Sequence, residues 1–290
     1  MAKRLLNLPE SVTDTRLREI CRDFDAKVYA KVRVADVLGI DGSGIDDELF
    51  SFGLKSHFDF VITESDDIPI FAVEFDGPGH SSLEARRRDQ LKNRLCDHFE
   101  FPLLRVNRNY LSPTFSNWDL LSWFCTVWFV KRDWDEAVHD GKIAIEDSVF
   151  DPMFVSAVTK SGTRGLELEC HARSEFGRLF REGIIPSHMA EWIVAEDTGG
   201  ILRALAWIRV SEHEGVVAET AMQHQRVGDW IHFAIRGIVL SRLEEAVTTV
   251  LDSQASPLSV PVIHERAEAF NSKFQTIMAC GSGAVARKHV

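Results

Sequence analysis

The sequence predicts an α/β protein. Residues 1–145 give a mixed sheet flanked by helices, and residues 146–290 give an α+β domain built on a three-stranded antiparallel meander. Three observations carry this. Apolar runs at 57–64, 68–76 and 103–107 bracket a basic amphipathic stretch at 82–98, which is the order strand, strand, helix, strand. An aromatic stretch at 117–139, with Trp118, Trp123, Phe124, Trp128, Phe129 and Trp134, has the length and spacing of a helix that covers one sheet face. Apolar runs at 191–195, 201–210 and 216–222 are split by Thr198-Gly199-Gly200 and His213-Glu214-Gly215, both hairpin signals.

In chain order, residues 1–12 form a lead-in. Leu17, Ile20, Cys21 and Phe24 share one face of a helix at 14–24. The alternation of Val28, Ala30, Val32 and Val34 marks a strand at 26–38, and 41–47 (DGSGIDD) is a surface turn. In the helix at 82–98, Leu83, Leu91, Leu95 and Phe99 mark the buried stripe, while the Arg and Lys residues lie largely elsewhere. Pro102 precedes the third strand. The pattern loosens over 139–165, where the domain boundary is placed, and becomes helical again at 173–182. A long amphipathic helix spans 226–252, with Trp230, Phe233, Ile238, Leu243 and Val247 as core candidates, and the closing GSGAVARKHV is a frayed tail.

At 45% hydrophobic and 27% charged, the 290-residue composition suits a packed core and excludes disorder. The longest mostly apolar run, 120–130, is too short for a membrane span, and the opening residues lack a secretory pattern, so the expectation is a cytoplasmic protein without a membrane partner. Cys21, Cys96, Cys125, Cys170 and Cys280 are odd in number and widely spaced, which fits reduced thiols and no Cys/His zinc site. The net charge of −11 argues against a nucleic-acid-coated surface. Yet residues 80–110 hold seven Lys/Arg (86, 87, 88, 92, 94, 105, 108) against four acids (84, 89, 97, 100), a local +3.

That basic stretch follows two acids, Asp59 and Glu74, on neighbouring strands of the predicted hairpin near the same edge. Two carboxylates at adjacent strand ends are costly unless something positive sits between them, and a hard divalent cation takes oxygen ligands. A small basic face beside such acids suits a metal-dependent phosphodiester site: phosphate is attracted while carboxylates hold the metal. By strand periodicity Asp76 points to the face of Glu74, and the Gly77-Pro78-Gly79 turn can fold His80 back towards the acids. On the helix, Asp89 and Lys92 are three apart and share a face.

The order helix, strand with Asp59, strand with Glu74-x-Asp76-Gly77…His80, basic helix with Arg88-Asp89…Lys92, and strand with Leu103-Leu104-Arg105-Val106 resembles a PD-(D/E)XK nuclease-like domain. It is similar in particular to the very-short-patch-repair endonuclease-like branch and to a related bacterial family of uncharacterised nuclease-like domains. KVRVADVL, within 26–38, looks like the lead-in strand of the latter. The resemblance covers about residues 10–110 and implies a restriction-endonuclease-like sheet. It implies that Asp59 and Glu74 are the first- and second-motif acids, holding Mg2+ or Mn2+ for hydrolysis of DNA in repair or in defence against foreign DNA. Asp76 stands where many members carry the catalytic lysine, and a carboxylate cannot do an ammonium's work. In the branch with Glu-x-Asp-Gly-x-x-His, the histidine and a basic residue on the next helix take over, here His80 and Lys92. Arg86, Arg87, Arg88 and Arg94 then face DNA, with Asp89 in support. An upstream helix acid is also implied, Asp14 or Glu19. The alternative is a nuclease-like module without catalysis, binding nucleic acid or a protein. Under the hydrolase reading the C-terminal half would supply substrate choice, regulation or assembly, as a homodimer or with a protein partner.

Overall fold

The computed structural model describes residues 6–77, 83–113, 118–144, 146 and 149–281. Helix α1 (Leu8–Asp23) starts at a capping box: the Asn7 side chain accepts from the Glu10 N–H, and the Glu10 carboxylate accepts from the Asn7 N–H. It therefore begins six residues before the predicted 14–24 helix, inside the expected lead-in. Strand β1 (Lys27–Arg33) is shorter than the predicted 26–38 and passes into a single turn, α2 (Val34–Val37). Helix α3 (Asp47–Lys55), capped by Asp46, is new.

Strands β2 (His57–Thr63) and β3 (Pro69–Phe75), helix α4 (Leu83–His98) and strand β4 (Leu103–Val106) form the predicted central unit. The sheet runs β1-β2-β3-β4, with two antiparallel pairs and a parallel β3–β4 pair, so it is mixed. Both faces are covered. Phe60, Ile62, Phe71 and Val73 share a core cluster with Leu17 of α1 and Leu121 and Phe124 of α5 (Leu120–His139). Val61 and Ala72, of opposite parity, pack in a second cluster with Leu91 and Leu95 of α4 and Leu49 of α3. In α4, Leu83 is exposed rather than part of the buried stripe, and Lys92, assigned by its charge to the outer face, is buried.

The loosened stretch holds a small hairpin, β5 (Ser156–Thr159) and β6 (Gly162–Gly165), followed by α6 (Cys170–Arg181). The meander is present as β7 (Glu191–Glu196), β8 (Ile201–Arg209) and β9 (Glu214–Gln223). It is not a three-stranded unit. Helix α7 (Ile231–Leu251) leads to β10 (Leu258–Ser259), α8 (Val260–Lys273) and β11 (Gln275–Cys280), and the sheet order is β10-β9-β8-β7-β11. Both edges of the meander thus acquire a strand from the C-terminal segment, which satisfies backbone groups that bare edges would leave open. Val194, Ala204 and Ala206 face Ile235 and Leu243 of α7, and Ile193, Leu205 and Trp207 face Ile263 and Ala267 of α8. The frayed tail, 282–290, lies outside the described residues.

The halves share a core. Leu17, Phe71, Phe124, Phe176, Val194 and Val239 belong to one hydrophobic cluster that crosses the boundary predicted at 145. The outer edge of β4 is also closed by the chain between β9 and α7: Leu103 and Arg226 exchange backbone bonds of 3.0 and 3.1 Å. Among the described residues no helix is long and apolar enough to cross a membrane.

Candidate functional site

The β2–β3 ladder runs from Thr63↔Pro69 to Phe60↔Val73. Past that pair, side chains take over. The Asp59 N–H donates to Glu74 Oε1 at 3.1 Å, and the Phe75 N–H donates to Asp59 Oδ2 at 2.9 Å. Each acid therefore accepts from the backbone of the other strand, which places both carboxylates at one edge, as the hairpin predicted. Strict alternation would put Phe58 and Phe60 on one face, yet they pack in different clusters. The break falls at Asp59. On β1, between the partners of Phe60 and Phe58, stands Lys31 with φ +55, a left-handed conformation that costs a non-glycine residue of order 1 kcal/mol or more.

Each of the two acids pairs with a different lysine. Lys31 Nζ lies 2.6 Å from Asp59 Oδ1 and 3.0 Å from Glu10 Oε1. Lys92 Nζ lies 2.7 Å from Glu74 Oε2, donates to the His57 carbonyl at 2.8 Å, and sits 5.6 Å from the centre of the Phe58 ring. Glu74 and Lys92 are only 7% and 9% exposed, which is why the pair matters energetically. Burial pushes the Glu74 carboxyl above the ordinary glutamate value, with Asp59 adding to the rise and the Lys92 and Arg105 charges opposing it.

Asp76 departs from the acid pair. It follows β3, and its Oδ1 lies 3.1 Å from Arg105 Nη1, which also reaches Asp89 Oδ1 at 3.1 Å. The same guanidinium donates to Asn93 Oδ1 at 3.1 and 3.2 Å. The Arg105 backbone exchanges bonds with the buried Gln225 side chain, whose amide also reaches Tyr110. Gln225 is thus a link between the halves.

Of the predicted residues, Asp59, Glu74, Arg88, Asp89 and Lys92 border one cavity of about 510 Å³, with Glu10 and Lys55. His80 lies outside the described residues. Arg87 pairs with Glu48, and Arg94 lies 2.8 Å from Asp46, so these two are held by α3. Arg86 is exposed. The acid that α1 brings to the cavity is Glu10; Asp14 pairs with Arg18, and Glu19 with Arg16. The capping box Asn7-x-x-Glu10 was the signal for it. No sequence signal marks Lys31. Among the described residues no group of three or more His, Cys, Asp and Glu is set to hold a metal. Asp59 and Glu74 nevertheless supply hard oxygen donors of the kind that suits Mg2+ or Mn2+.

The backbone contacts predict a graded response. Asp59→Ala removes the acceptor for the Phe75 N–H and the partner of Lys31, and is expected to lower the unfolding free energy by about 1–3 kcal/mol. Asp59→Asn keeps an acceptor oxygen and should lose less. Chemical denaturation in EDTA measures both, and equal losses would show that the backbone bond contributes nothing.

Residues 2–113 match a protein family described as "Protein of unknown function (DUF2726)". That span holds the whole mixed sheet and every residue of the candidate site. No curated protein and no solved structure matches the chain.

Proposed function

We propose that this protein is a metal-dependent phosphodiester hydrolase acting on DNA, on a restriction-endonuclease-like sheet. The observation that carries the reading is the ammonium of Lys92, 2.7 Å from Glu74 in the cavity that also holds Asp59. It gives the acid pair the lysine that Asp76 withholds, from α4 rather than from β3. Asp59 and Glu74 would hold Mg2+ or Mn2+, which when bound would polarise a phosphoryl oxygen and offset the charge that develops there. Lys92 opposes the upward push that burial gives the Glu74 carboxyl, and with one N–H on Glu74 and one on the His57 carbonyl it offers its third to a phosphate oxygen. Asp89 is held by Arg105 at the cavity wall and steadies α4 against β4.

The test is cleavage of single-stranded, double-stranded and branched DNA with Mg2+ or Mn2+. Wild type is expected to cut at least one substrate, and Glu74→Gln and Asp59→Asn to abolish the activity. Cutting by wild type and both variants alike would overturn the assignment. A second reading, a nuclease-like binding module without catalysis, is favoured by one observation: all four oxygens of Asp59 and Glu74 already have backbone or lysine partners. Binding of DNA without cleavage under any metal would support it.

A further inference from the structure

The charges around the cavity divide into those already engaged and those still exposed. Lys92 is held by Glu74, Lys31 by Asp59 and Glu10, and Arg105 by Asp76 and Asp89. The arginine run of α4 does not form a continuous stripe, because α3 takes Arg87 through Glu48 and Arg94 through Asp46 and Glu48. Two cavity-lining cations remain. Lys55 ends α3, and Arg88 lies in the second turn of α4; both are exposed and neither has an ion-pair partner among the described residues. They border the same cavity as Asp59 and Glu74 but stand on different helices.

Resting on the phosphodiester reading above, we propose that Lys55 and Arg88 hold the phosphates of a single-stranded DNA segment or frayed end that enters the cavity. A guanidinium takes a phosphate as a fork and an ammonium takes it as a point charge, so the two side chains suit neighbouring phosphates of one strand. Duplex-tracking proteins neutralise about 6–10 phosphates along a basic face. Here the paired arginines of α4 and a net charge of −11 leave no such face on the described surface beside the cavity. A cavity of about 510 Å³ is of a size that encloses a small ligand, and an unstacked nucleotide enters it where a stacked duplex does not.

The test is fluorescence anisotropy of a labelled oligothymidine with the full chain in EDTA, titrated with salt. Two phosphate contacts to a single strand predict a log K against log [salt] slope of about −1.4. Lys55→Gln and Arg88→Gln are each expected to weaken binding and to reduce the slope by about 0.7. Arg178→Gln on α6, where that arginine is tied to Glu175 and Glu182, serves as the unchanged control. A duplex of equal length should bind more weakly. Duplex preference with a slope steeper than about −4 would overturn the proposal, as would wild-type binding by both cavity variants. If wild type cleaves DNA while these variants bind unchanged, the hydrolysis reading stands and this inference falls. If the variants lose binding while no metal supports cleavage, this inference stands and the hydrolysis reading falls. No binding by wild type to either form overturns it too.

Discussion

Trp123→Ala is expected to lower the unfolding free energy by about 3–5 kcal/mol and to loosen both halves of the chain together. The side chain is 1% exposed, and its ring lies 5.3 Å from Phe124 and 5.8 Å from Trp230, edge to face in each case. Its Nε1–H donates to the Leu166 carbonyl at 2.6 Å, so truncation opens a cavity between α5 and α7 and leaves a buried acceptor without its donor. The cluster around it joins β3 to β7 and β8, and a loss there is shared by both sheets. Hydrogen exchange should therefore accelerate in β3 and in β8 to a similar degree, and wild type should unfold in a single transition. Two separate melts, with only one shifted by the substitution, would support residue 145 as the border between independent domains.

The parts of the fold that the sequence predicted are those with a complete periodic signal. Strands β2, β3 and β4, helix α4 and the β7–β8–β9 meander fall within a few residues of their expected spans, because apolar runs bounded by Gly, Pro and Asp specify them locally. The missed elements lack such a signal. Helix α3 has nine residues and buries Leu49 and Gly53, and a glycine leaves no apolar mark. Strand β11 is half-buried at a sheet edge, where alternation is blurred. Helix α8 carries Pro261 in its first turn, a start signal that the tail-like context obscured. In the site, Asp59 and Glu74 were legible because strand ends and a turn fix them. Lys31 was not, since a left-handed lysine within a strand breaks the alternation from which its neighbours are read. Lys92 was legible as a candidate but not as a buried residue; a helical pattern assigns a lysine to water, and only the tertiary partners Glu74 and the His57 carbonyl hold it inside.

That burial makes Lys92→Met the most informative substitution at the site. Removing one partner of a buried pair leaves an uncompensated charge and costs about 3–5 kcal/mol, even where the intact pair contributes little net stability. The cost should depend on pH. Burial already raises the folded-state pKa of Glu74, and Lys92 is the largest influence holding it down, so the substitution raises it further. A carboxyl whose folded pKa lies above its unfolded value of 4.5 binds its proton more tightly when folded, and stability is then lost as pH climbs from 4.5 through the folded value. The deficit of Lys92→Met against wild type should therefore be smaller at pH 4.5 than at pH 8. Adding Glu74→Gln removes the stranded charge, so the double variant should recover much of the loss at pH 8 although neither residue is native. Urea titrations of the three variants and wild type at both pH values measure this. A deficit independent of pH, or a double variant no more stable than Lys92→Met, would mean that Lys92 acts by packing its stem against Phe58 rather than by neutralising Glu74. The ammonium would then lose its place in the chemistry of the acid pair.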